Sequence, residues 1–107
     1  MKLLYCGLIA ALGLVPLAPA VAQTKGDVQR GLVLVRTHCA SCHSIDKVSP
    51  SPLKAAPPFR DLHKRYPVET LEEALAEGIV TGHPSMPQFS FDPDQVTVII
   101  AFLKSLE

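Results

Sequence analysis

Tryptophan is absent from this 107-residue chain, and aromatic residues make up only 6% of it. A chain of this length builds one small domain at most, marginal on its own hydrophobic core. Cysteine is scarce as well: there are three, and Cys6 stands far from Cys39 and Cys42. The lack of a second paired cluster weighs against a four-ligand zinc site. The lack of a βαβ pattern weighs against a thioredoxin-like dithiol. Nor does one sign of charge dominate. Ten basic residues face ten acidic ones, so there is no basic face of the kind that binds nucleic acid. Repeats and low-complexity tracts are missing, and no segment alternates with period two. The expectation is an all-α fold.

What is present is concentrated in Cys39-Ala40-Ser41-Cys42-His43. Cys-x-x-Cys-His is the attachment signature of a c-type haem. Two thiols on one helical turn can each add to a porphyrin vinyl group, and the adjacent imidazole then sits under the iron. The cofactor expected is one haem c, covalent through Cys39 and Cys42, with His43 as axial ligand. Zinc and a redox dithiol remain the competing readings of the bare cysteine pair.

The start of the chain looks like a leader. Met1-Lys2 is basic, Leu3 to Val15 is apolar, and Ala20-Val21-Ala22 fits the small-residue cleavage rule. Cleavage after Ala22 would remove Cys6 and leave a domain over 23–107 with nine basic and ten acidic residues, a net charge of −1. The alternative is an uncleaved anchor, since Leu3 to Ala22 is about long enough to span a bilayer. Pro16 and Pro19 interrupt that run.

Further along, Gly26-Asp27 can start a helix, with Val28, Leu32 and Val35 as an apolar stripe leading into Cys39. Gly31 lies on that stripe, where close passage of another helix is the simplest reason for a glycine. Four prolines between Ser49 and Pro58 forbid a helix interior. A short helical stretch, Phe59 to Lys64, follows this loop. Pro67 opens the next helix, Val68 to about Gly78. Its apolar face is Leu71, Ala74 and Leu75, and its wetted side is Glu69, Glu72, Glu73 and Glu77. In the last helix Asp92 is the N-cap, Pro93 the first helical residue and Gln95 the capping-box partner. Val96, Ile99, Ile100 and Leu103 form its buried stripe, with Phe102 at the edge and Leu106 at the end.

Iron held by His43 alone would keep an open position. Apart from the initiator, the only methionine is Met86, placed by Pro84 and Pro87 in an irregular segment where core filler does not belong. Met86 is the expected sixth ligand. His83, three residues away, is the serious competitor, while His38 and His63 are expected at the surface or in local hydrogen bonds. Thioether ligation would raise the reduction potential above that of a bis-histidine site.

Taken together, the mature region resembles the class I cytochromes c, small all-helical monohaem electron carriers. Gly31 fits the family's glycine eight residues before the first cysteine, and Phe102 fits the last-helix aromatic that packs on it. Ala56-Pro57-Pro58-Phe59-Arg60-Asp61-Leu62 matches the Gly-Pro-x-Leu-x-x-Leu segment, with Ala56 and Phe59 as departures. Met86-Pro87 matches the end of the sixth-ligand loop. Val35 stands where the family usually has an aromatic.

The resemblance implies three to four short helices packed around the haem, and periplasmic export. It implies that the Pro57 carbonyl accepts the second ring proton of His43. It also offers Phe59, Leu62, Phe89 and Phe91 as haem-lining side chains. The function expected is single-electron transfer between redox partner proteins, without enzymatic activity. After cleavage neither nucleic acid nor membrane is an expected partner, and the protein is a monomer or a subunit. A haem subunit or dedicated acceptor of a periplasmic dehydrogenase is the main alternative. A haem sensor or peroxidase with an exchangeable sixth ligand is a further one.

Overall fold

The computed structural model describes residues 7, 10–16, 24–78 and 85–107. Most of the expected leader, and His83 with the residues around it, lie outside these. Among the described residues no helix is long and apolar enough to cross a membrane. Three α-helices carry the fold, α1 Lys25–His38, α2 Glu72–Glu77 and α3 Pro93–Ser105, with 3₁₀ turns at Phe59–Lys64 and Val68–Leu71. The described residues contain no strand, as the missing period-two alternation implies.

Helix α1 starts one residue earlier than Gly26-Asp27 suggests. Thr24 caps it, its hydroxyl accepting from Asp27 N at 3.1 Å. That bond satisfies one of the N–H groups a helix leaves unpaired at its start. Its stripe buries Val35 completely, with Val28 and Leu32 packed beside it.

The central packing event is the crossing of α1 on α3. A Cβ built on Gly31 would overlap the Val98 carbonyl oxygen and lie 2.8 Å from Phe102 Cβ. Only glycine lets the two backbones come this close.

Helix α3 begins on its capping box, with Asp92 N donating to Gln95 Oε1 at 3.0 Å and Pro93 at the first position. It is buried far more widely than a single stripe. Val96 and every residue from Val98 to Leu103 are inaccessible, Phe102 among them at 5% exposure. Phe102 is therefore interior and not at the edge. The reason is that α3 is covered by α1 on one side and by the Val68–Glu77 segment on the other, so it must be apolar nearly all round.

The segment after Pro67 does not begin as an α-helix. It winds as a 3₁₀ turn over Val68–Leu71, and only then continues as α2. Val68, which sequence periodicity does not single out, is 1% exposed and one of the two most deeply buried large side chains. The glutamates face water as expected, except that Glu69 pairs with Lys104 of α3 at 2.5 Å. Their contact lowers the Glu69 carboxyl and raises the Lys104 ammonium from their ordinary values, chiefly through that hydrogen bond. At Gly78 the backbone turns to φ +101°, which ends α2. The chain that follows Met86 is then pinned back onto α2, with Phe91 N bonded to Leu75 O at 3.0 Å and Ser90 Oγ to Ala76 O at 2.8 Å.

Candidate functional site

The Cys-x-x-Cys-His segment forms the turns that end α1. Cys39 N still donates to Val35 O at 2.8 Å, and His43 N and Cys42 N both donate to Cys39 O, at 3.0 and 3.2 Å. This winding brings both cysteines onto one compact turn. Both are free thiols and half-buried. Cys39 packs against the apolar core, and burial pushes its thiol up to about 11, because a thiolate there would lose its water.

His43 is held on its ring. Its Nδ1 lies 2.8 Å from the Pro57 carbonyl oxygen. A carbonyl can only accept, so Nδ1 carries the proton and Nε2 keeps its lone pair. The ring of Phe59 lies 4.6 Å from the imidazole, tilted by 35°. Pro57 and Phe59, both half-buried, thus meet His43 directly, one by its carbonyl and one by its ring.

The segment from Ser44 to Pro58 returns alongside the motif. Leu53 N donates to Cys42 O at 3.0 Å, and Phe59 N donates to Ser44 O at 3.0 Å. The Asp46 carboxylate closes a tight turn by accepting from Val48 N at 2.8 Å and Ser49 N at 2.6 Å. Those two donors, Ser49 first, pull the Asp46 carboxyl down to about 2. Arg60 reaches across this turn to three oxygens, an arrangement absent from the sequence reading. Its partners are two backbone carbonyls and one hydroxyl, which leave no compositional trace.

Met86 is half-buried, in the turn that leads to the exposed Pro87. Beyond it Phe89 and Phe91 stack 5.5 Å apart. His38, on the last turn of α1, presents its ring edgewise to both, at 5.5 and 5.4 Å. His38 is exposed as expected, but its contacts are aromatic and not local hydrogen bonds. They attach the Met86 segment to the end of α1. His63 is exposed on the 3₁₀ turn, and His83 falls outside the described residues.

Among the described residues no group of three or more His, Cys, Asp or Glu side chains is placed to hold a metal ion. The donors present are instead two thiols on one turn, followed at once by an imidazole with a fixed tautomer. That set fits a covalently attached haem: two sulfurs for thioethers, and Nε2 as an iron ligand with Nδ1 already engaged.

Comparison with known proteins agrees. A family model described as Cytochrome c matches residues 28–107, from the first turn of α1 past the end of α3. No curated protein and no solved structure matched the chain.

Proposed function

Because the chain belongs to the cytochrome c family and is a haem-based electron-transfer protein, we propose that it carries single electrons in the periplasm through a His43/Met86-ligated haem. The observation that carries this reading is the Nδ1–Pro57 hydrogen bond. It leaves Nε2 as a preset donor next to the two thiols. Cys39 and Cys42 would hold the haem covalently, and His43 and Met86 would supply its two axial donors. Once bound, the haem contributes a reversible one-electron ferric–ferrous couple.

The protein's own residues do the rest. The Pro57 carbonyl fixes the imidazole tautomer and strengthens its electron donation. Phe59 braces the ring, and Leu62, with its neighbours in the core, excludes water. Two donors on rigid backbone keep the ligand geometry alike in both oxidation states, so little must rearrange when an electron moves. Residues 1–22 are read as a leader removed on export. Donor and acceptor proteins would dock in brief encounters through small interfaces.

The test is the visible spectrum of the exported protein in both redox states. A far-red band from thioether-to-ferric charge transfer is expected in the wild type and absent in Met86→Ala. High-spin ferric iron, or ready carbon monoxide binding by the unaltered ferrous protein, would overturn the six-coordinate carrier. Retention of the band in Met86→Ala would overturn Met86 as ligand.

A further inference from the structure

The carbonyl that holds His43 belongs to a segment unable to hold itself. Pro57 and Pro58 have no backbone N–H, so Pro57 O can be fixed only from its two flanks. On one flank Ala56 N donates to Leu53 O at 2.9 Å, and Leu53 N to Cys42 O at 3.0 Å. On the other, Phe59 N donates to Ser44 O at 3.0 Å. Arg60 then locks that flank: its Nη1 donates to Ser44 Oγ at 3.2 Å, Asp46 O at 3.3 Å and Ser49 O at 2.7 Å. The residues on either side of His43 are both tied to the returning chain.

Ser44 is the buried polar side chain of the described residues, at 4% exposure. Each of its polar groups has a partner. Its N–H donates to Ser51 Oγ at 3.0 Å, its carbonyl accepts from Phe59, and its hydroxyl accepts from Arg60. Half-satisfied buried polar groups are costly, so such a network holds one arrangement and disfavours others. Arg60 directs its cation at neutral oxygens of residues 44–49, where it serves geometry and not a surface ion pair.

We propose that Arg60 is a positioning residue for His43: acting through Ser44, it holds the Pro57 carbonyl against Nδ1 and so sets how strongly the imidazole donates to iron. The proposal rests on the haem-ligand reading above. It also makes a signed statement. A firm Nδ1–H···O bond makes the imidazole a stronger donor and favours ferric iron. Loosening the clamp at constant charge therefore raises the reduction potential. Mere loss of a nearby cation would favour ferric iron and lower it.

The experiment uses the haem-loaded protein and the charge-preserving variants Ser44→Ala and Arg60→Lys, with Ser51→Ala as the mildest cut into the same network. Midpoint potential is read by spectroelectrochemistry. Exchange of the His43 Nδ1 proton is read by NMR on the ferrous form, well below the melting temperature. A shift of potential to more positive values with faster proton exchange is expected in each variant. The double variant Ser44→Ala/Arg60→Lys should move no further than its larger single, since both break one contact. A lowered melting temperature with unchanged potential and exchange would reduce Arg60 to a structural staple and overturn the proposal, as would a lowered potential. If the wild-type protein carries no covalent haem, it is the underlying reading that fails, and the spectrum shows this before any variant is made.

Discussion

Gly31→Ala isolates the α1–α3 crossing in one methyl group. At an exposed mid-helix position the exchange would stabilise by about 1 kcal/mol, because alanine is the better helix former. Here the added Cβ meets the Val98 carbonyl oxygen and Phe102 Cβ, the latter at 2.8 Å. Neither obstacle can step aside by changing rotamer: one is backbone, and the other is fixed to it. The helices must separate, and overpacking of that kind costs about 1–3 kcal/mol and at times more.

Taking a net loss of about 2 kcal/mol, a domain of this size should melt about 8–16 °C lower. Denaturant or thermal unfolding of the haem-loaded protein, followed by far-ultraviolet circular dichroism, measures it. Trimming the partner does not help, since Phe102→Ala keeps the obstructing Cβ and leaves a cavity costing about 3–5 kcal/mol. The double variant should therefore be worse than either single. Gly31→Ala melting at or above the wild type, or rescue by Phe102→Ala, would refute the close crossing.

Two further outcomes follow from the site. The Asp46 carboxyl has a folded value of about 2 against an ordinary 3.8, held down by the Ser49 and Val48 N–H groups. A depressed folded value means its contribution is complete above about pH 4 and is lost as pH falls through 2. Acid titration of unfolding should show that loss in the wild type and lack this component in Asp46→Ala. An identical acid profile in the two would contradict it. Removing the covalent attachment with Cys39→Ala/Cys42→Ala should leave the chain largely unfolded, because a domain this small depends on the apolar area its cofactor buries. A cooperative melt like that of the loaded protein would count against this.

Much of the scaffold is legible in the residues themselves. The 3₁₀ turn at Phe59–Lys64 falls where the proline run ends, since four prolines exclude a helix before it. The capping box at Asp92 and Gln95 places the start of α3, because those side chains bond their own backbone. Interior burial is less readable. Val68 and Phe102 lie off the stripes that periodicity picks out, and only the layering of the Val68–Glu77 segment over α3 buries them. His43 and the cysteines announce themselves by spacing. The partner of His43 came from family resemblance, and the two groups do meet at 2.8 Å. Arg60 was invisible because its three oxygens are brought together by a turn that no pattern in the sequence encodes.

The pairing of α1 with α3 has a consequence for how the protein is made. The helix at Lys25–His38 has its main packing partner at Pro93–Ser105, so more than fifty residues of intervening chain must be synthesised before that surface can close. Folding during synthesis proceeds from completed units, and this unit is not complete until α3 has emerged. A nascent or translocating chain that halts short of residue 93 therefore keeps Cys39 and Cys42 accessible in an open polypeptide, and the order of manufacture itself delays burial of the two thiols.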